Sequence, residues 1–258
     1  METKDYQPDW EVYFCQIESK PAFIGLDLNL ATLAPLEEQN QVIEITVPLA
    51  SVREDGFPED IEWEALGDIE DALVTAFENG LEAIMAGKTL NAGLRKFYFY
   101  ASEVLLVEHH LKEVEEAFPQ YQFAAETWED PEWETYLGFL FPEPADLQRI
   151  QNGKVLRNLE DLGDNPDVSR KVVHWIYFRD EASLEKYWQE IAAKGYRKEE
   201  EGFEPHSEET PFKLQVSLEA KTQEETIHDM VLYLWNLAQE QDATYDGWET
   251  SIEKGDPA

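Results

Sequence analysis

Apolar residues in the first half of the chain fall in short strand-like blocks, Trp10 to Glu18, Pro21 to Leu28 and Val42 to Leu49 (VIEITVPL). Each is rich in β-branched or aromatic residues and bounded by Pro, Asn or Ser, which predicts three successive strands. The period then changes. From Glu59 to Asn79 the residues Ile61, Leu66, Ile69, Leu73 and Phe77 recur every three to five positions, the spacing of a helix face, and Asn79-Gly80 supplies a stop. Leu81 to Ala86 reads as a short helical extension, with Gly87 and Gly93 punctuating a loop. RKFYFYAS, Arg95 to Ser102, is aromatic enough to require a buried sheet position. A helix through Val104 to Phe118 and a strand from Tyr121 to Thr127 complete a β-α-β unit. The acidic stretch Trp128 to Glu134 and YLGFLF then run to Pro142 and Pro144, a proline spacing that predicts extended or turn conformations. The domain boundary is placed there, giving 1–144 and 145–258.

The second half opens with a helix over Asp146 to Leu162, weakened in its middle by Gly153, where it can split, and closed by Gly163-Asp164-Asn165-Pro166. The strand VVHWIYF, Val172 to Phe178, leads to a helix from Glu181 to Ala193 with Leu184, Tyr187, Trp188 and Ile191 on one stripe, ended by Lys194-Gly195. Two strands, Tyr196 to Phe203 and Phe212 to Glu219, flank the polar loop EPHSEETP. A last helix, Thr222 to Gln241, delivers the chain to a strand from Thr244 to Ile252. This β-α-β-β-α-β order predicts a ferredoxin-like sandwich with two helices over a four-stranded antiparallel sheet. The fold class is therefore α+β in two domains, the first a related sandwich on an antiparallel sheet. FYFYASEVLLVEHHLKEVEEAFPQYQF and HWIYFRDEASLEKYWQEIAAKGYRKEE share an aromatic strand, a helix and a return strand, a pattern that distant duplication produces.

Composition and charge narrow the function. With 43% hydrophobic and 12% aromatic residues, the 258-residue chain can fill two cores. Its 56 acidic and 20 basic residues give a formal net charge of -36, which repels nucleic-acid backbones and anionic membranes. From Asp146 onward there are 25 acidic and 13 basic residues, leaving 31 and 7 in the first part, the stronger acidic surface. The absence of a long apolar run and the polar N-terminus METKDYQPDW predict a cytoplasmic protein with no membrane anchor. The single cysteine, Cys15, reads as a buried strand thiol.

Catalytic chemistry finds little support. Glycine-rich phosphate loops, serine elbows, helical metalloprotease motifs and calcium-loop spacings do not occur. Neither a metal nor another cofactor is expected. His109 and His110 with Glu113 make only a loose helical set, His174 reads as a packed strand residue, and His206 and His228 stand alone. Among 56 carboxylates, pairs at acid-base spacing carry no information.

Several motifs resemble known families. The helix end LEDLGDNPD, the V-x-H-W-I-Y-F strand, Gly195 before an aromatic and above all the ending YDGWET resemble the bacterial family known as regulator of ribonuclease E activity B. That resemblance implies a ferredoxin-like, acidic, non-catalytic protein that binds a ribonuclease and inhibits or redirects RNA cleavage without binding RNA. Glu249 stands where the resembled inhibitors carry glycine. The runs WEVYF from Trp10, PAFIGLDL and GLRKFYFYAS resemble a second bacterial family, of unknown function and often fused upstream; this implies co-occurrence and no activity.

The expectation is a non-catalytic, acidic regulator whose partner is a protein, a ribonuclease or its basic scaffold region, with no direct nucleic-acid contact. A protein-interaction module unrelated to RNA decay is the alternative, followed by a small-ligand binder or enzyme. The candidate contact residues are Asp180, Glu181, Asp246, Trp248 and Glu249, acids and an aromatic at strand ends and loops. For Trp248 a core position competes with an interface one, and Gly247 reads as turn or bulge geometry.

Overall fold

The computed structural model describes residues 6–203 and 209–254, so the loop position of His206 lies outside the described residues. The chain divides into two compact units, Met1–Glu143 and Pro144–Ala258.

The first unit runs β1 (Trp10–Ile17), β2 (Lys20–Asp27), β3 (Gln41–Pro48), α1 (Trp63–Leu81), β4 (Ile84–Asn91), β5 (Leu94–Ala101), α2 (Val107–Ala117) and β6 (Ala124–Glu129). Its sheet has the order β1-β2-β4-β5-β3-β6, and all neighbours are antiparallel. Ile43, Ile45 and Val47 of β3 and Phe97, Phe99 and Ala101 of β5 meet Ile69, Leu73 and Phe77 of α1 and Leu111 and Val114 of α2 in one core. The alternate residues Tyr98 and Tyr100 are buried on the opposite face, which explains the unbroken aromatic run of β5.

Three expectations for this unit change or narrow. Leu81 to Ala86 does not extend α1. Glu82 takes a left-handed conformation at φ 51°, ending the helix, and β4 follows. Gly87 lies inside that strand, where the carbonyl oxygen of Gly25 stands 2.8 Å from the place a Cβ would take. Second, of the extended or turn conformations expected for the proline-flanked segment, the turn is the one found. Asp130 accepts hydrogen bonds from the amides of Glu134 and Thr135, both at 2.8 Å, and so starts a wide helical turn over Thr135–Leu140. Trp133, Tyr136 and Leu140 of this segment are fully buried, and Trp133 stacks on Tyr100 with ring centroids 3.8 Å apart. Third, β6 begins at Ala124, because Tyr121 and Phe123 pack on the core from the preceding loop. Cys15 is half-buried, as befits an edge strand.

The second unit runs α3 (Pro144–Asp161), β7 (Arg170–Phe178), α4 (Glu181–Ala192), β8 (Arg197–Phe203), β9 (Phe212–Ala220), α5 (Glu224–Glu240) and β10 (Thr244–Thr250). α3 continues unbroken through Gly153. The antiparallel sheet has the order β10-β7-β9-β8. Val172, Ile176 and Phe178 of β7 pack with Leu214 and Val216 of β9 against Leu184, Tyr187 and Ile191 of α4 and Ile227, Val231 and Leu234 of α5. This is the ferredoxin-like arrangement, with the fourth strand beside the first.

The same arrangement recurs in the first unit. β3-α1-β4-β5-α2-β6 has the spatial order β6-β3-β5-β4, matching β10-β7-β9-β8 strand for strand, and the β1–β2 hairpin is added next to β4. The two segments that align by eye are not equivalent within it. One runs from β5 through α2 and stops just short of β6, in the closing half of its unit, and the other runs from β7 through α4 into β8, an opening half.

Candidate functional site

β10 is TYDGWET, and its geometry depends on one extra residue. Tyr245 opposes Ile176 and Trp248 opposes His174, with the register shifting between Tyr245 and Gly247. Residues three apart on a regular strand face opposite ways, so the bulge is what turns both rings toward the helix-covered core. Gly247 sits at φ 139°, a conformation that L side chains rarely adopt.

Each ring has a polar anchor. The Trp248 side chain is buried at 9% exposure, and its Nε1–H donates to Oδ1 of Asn152 on α3 at 2.9 Å. Asn152 is only 2% exposed, and its Nδ2 has no hydrogen-bond partner among the described residues. Tyr245 Oη lies 2.8 Å from Nδ1 of His174, whose Nε2 lies 3.0 Å from the Met230 sulfur. A thioether accepts but cannot donate, so the imidazole carries its proton on Nε2 and Tyr245 donates to Nδ1. Burial pushes the His174 pKa down to about 3 and the Tyr245 pKa well above its ordinary value, so both are neutral at pH 7. Both ring nitrogens of His174 are engaged and the side chain has no exposed surface, so it presents no free lone pair to a metal ion and no contact to solvent.

A second polar knot holds the chain on either side of this strand. Asp164 and Arg170, each with a side chain 3% exposed, form a buried ion pair to which Thr222 also bonds. Asp164 Oδ1 accepts the Glu253 amide at 2.8 Å, and the Asn165 amide donates to the Glu253 carbonyl at 2.7 Å. The sequence LGDNPD therefore fastens the segment leaving β10 to the loop between α3 and β7.

Between α3 and β10 lies a groove of about 380 Å³, lined among others by Gln148, Gln151, Asn152, Trp175, Trp248 and Glu249. Three of the five expected contact residues, Asp246, Trp248 and Glu249, meet here. Asp246 and Glu249 are exposed, whereas Trp248 is buried. Asp180 and Glu181 are elsewhere, at the start of α4. Asp180 is the helix N-cap, and the bonds it accepts from Ser183 hold its carboxyl below the usual range. Glu181 borders a different groove of about 660 Å³ with Phe203 and Phe212. His109 and His110 flank Glu113 at 4.0 and 3.6 Å. Among the described residues no group of three or more His, Cys, Asp or Glu is placed to hold a metal ion. No helix among them is long and apolar enough to cross a membrane.

A family model described as "Regulator of ribonuclease activity B" matches residues 149–250, the span holding α3, the groove and β10. A protein of Salmonella typhi, "Regulator of ribonuclease activity B", is 31% identical over 113 residues, covering 43% of this chain and 82% of that protein. The chain belongs to that family. A model described as "Family of unknown function (DUF695)" matches residues 8–141, and the chain belongs to this family through its first unit. The crystal structure of an unknown protein from Galdieria sulphuraria aligns with 83% of this chain and 99% of its own at 13% identity, but its TM-score of 0.23 carries no argument.

Within the ribonuclease-regulator domain, sequence reasoning passed over Asn152. A signal existed. Asn152 precedes Val155, Leu156 and Leu159 by three, four and seven residues, so it occupies a core-facing position of α3. A polar residue on such a stripe needs a buried partner, and the only tryptophan near the C-terminus supplies one.

Proposed function

We propose that the chain regulates a ribonuclease by direct protein contact, and that the groove between α3 and β10 is where the ribonuclease binds. The carrying observation is the unpaired Nδ2 of Asn152, a buried donor beside the family's YDGWET strand. A buried amide without an acceptor costs about 1–3 kcal/mol, and because Nδ2 is closed to solvent a partner carbonyl or carboxylate recovers this by parting the wall of the groove. Glu249 at the rim, and 25 acidic against 13 basic residues in this part of the chain, suit a basic protein segment and disfavour RNA itself. In this reading the chain competes with RNA for a basic region of the enzyme and performs no chemistry of its own.

The test is binding of the full chain to a purified ribonuclease of the source organism, followed by RNA cleavage in its presence. Binding should weaken steeply between about 50 and about 200 mM salt, and Glu249→Lys should lower affinity about tenfold. Cleavage unaffected by saturating chain, or affinity unaffected by Glu249→Lys and Asn152→Leu, contradicts the proposal. Glu249 also favours a second reading, contact with a protein unrelated to RNA decay. Recovery of a stable complex lacking any ribonuclease supports that one.

A further inference from the structure

β1 ends the six-stranded sheet, so among the described residues no strand pairs with its outer side. The hairpin with β2 fixes which backbone groups point there. The Leu28 amide donates to the Asp9 carbonyl at 2.9 Å, which turns Asp9 toward β2, and this direction alternates along a strand. Glu11, Tyr13, Cys15 and Ile17 therefore bond within the hairpin, whose tight turn at Glu18 and Ser19, both left-handed, closes on the pair of Ile17 with Lys20. Trp10, Val12, Phe14 and Gln16 send their amides and carbonyls outward, and all four are exposed.

Open edges are ordinarily blunted by charge, proline or a bulge. β8 and β10 each carry a bulge, and β8 is charged along its length. β1 has none of these devices. Its eight-residue register with β2 is unbroken, WEVYFCQI contains no proline, and Glu11 is its only charge. Trp10, Val12 and Phe14 are 41, 58 and 56% exposed on one face. Phe14 meets Phe23 edge to face, with ring centroids 5.4 Å apart, and still leaves more than half of its surface open.

The strand is complementary to itself. A two-fold axis at Tyr13 sets Trp10 against Gln16 of a second copy and Val12 against Phe14, so the outward groups of all four residues find partners at once. An axis at Val12 would set Gln16 against Pro8, which has no amide, and one at Phe14 would set Trp10 against Glu18 in the turn. With the axis at Tyr13, Glu11 stands opposite Cys15 and about 14 Å along the strand from its own copy, beyond the roughly 8 Å over which salt screens charge at physiological strength. Val12 and Phe14 then cover one another on one face, and the two Tyr13 side chains meet on the other. The three exposed apolar side chains offer roughly 300 Å² per copy for burial, the scale of a weak, reversible dimer. We infer that β1 is a pairing edge for a second copy of this chain, the two six-stranded sheets joining antiparallel about an axis at Tyr13. The inference concerns the first unit and does not rest on the ribonuclease reading.

Sedimentation of the full chain from about 1 to about 200 μM tests this. A reversible dimer with a Kd in the micromolar range is expected, tightening between about 50 and about 500 mM salt as screening relieves the repulsion of two acidic chains. That salt dependence is opposite in sign to the one expected of the ribonuclease contact. Val12→Pro removes an amide that points outward, which an edge strand tolerates, and should weaken the dimer at least about tenfold while circular dichroism reports an intact fold. In a Cys15→Ser background, Tyr13→Cys should join two copies through a disulfide on mild oxidation, because residues facing at the axis stand about 4.5 Å apart at Cα. Val12→Cys, more than about 7 Å from its own copy, should not. A monomer throughout the range, a dimer untouched by Val12→Pro, or faster crosslinking of Val12→Cys than of Tyr13→Cys overturns the inference. So does a monomeric chain whose β1 amides gain exchange protection only with another protein present, since a foreign strand then holds the edge.

Discussion

The two units share one strand order and differ at their edges. In the second unit the outer strand β8 is RKEEEGF, charged along its length, and such a strand resists pairing with other sheets. In the first unit the corresponding strand β4 is covered by a hairpin, and the edge passes to β1, which turns tryptophan, valine and phenylalanine outward. At the opposite edge of the second unit, β10 carries a bulge and stands beside α3 with an unpaired buried amide. A common scaffold thus supplies the core, while the edges and what lies against them carry the differences that recognition can use.

The comparison breaks most visibly through the polar anchor of the first unit. The Asp130 carboxylate accepts the Tyr100 hydroxyl at 2.7 Å and the amides of Glu134 and Thr135. Burial opposes its charge, yet these bonds hold its pKa below the usual carboxylate range. Asp130→Ala should cost the first unit about 3 kcal/mol and release the Trp133 segment. Hydrogen exchange resolved by unit should show the second unit unchanged.

Next in size is a pH effect confined to the second unit. The unfolded imidazole of His174 protonates near about pH 6.5 and the folded one only near about 3, so the unfolded state takes up the proton first. Stability should be full above about pH 6.5 and fall by about 1.4 kcal/mol per pH unit below it, losing about 2 kcal/mol by about pH 5. Urea melts of wild type and His174→Gln across that range check this, and the variant should lose the slope. Asn152→Ala strands the Trp248 indole N–H and should cost about 1–2 kcal/mol, read in the same melts. The smallest effect belongs to Gly247→Ala, which strains the bulge by about 1 kcal/mol. It should also broaden the amide resonances of β10 while leaving the first unit's spectrum unaltered.

Much of this architecture was legible in the residues. The stripes of α1, α4 and α5 and the aromatic runs of β5 and β7 carry periods that only one element type satisfies. β4 was hidden because its IMAGKTLN run contains a glycine demanded by a neighbouring carbonyl and because its hairpin turns at Ala92-Gly93, where alanine is an unusual choice at φ 51°. The place of the turn over Thr135–Leu140 was hidden because its start is set by the Asp130 side chain and not by local propensity. At the site, YDGWET announced the bulge through its glycine, but Asn152 lies 96 residues away from Trp248, and such a pairing exists only after folding. Asp180 and Glu181 stand out in the sequence by charge, which does not reveal that Asp180 also caps a helix.

On the proposed function, a ribonuclease meets the second unit between α3 and β10. Hydrogen-exchange footprinting of the full chain, with and without the ribonuclease of the source organism, tests it most directly. New protection should arise at residues 148–155 and 244–250 and be lost in Asn152→Leu. Protection confined to β1 and α1, or to the start of α4 at Asp180 and Glu181, contradicts it.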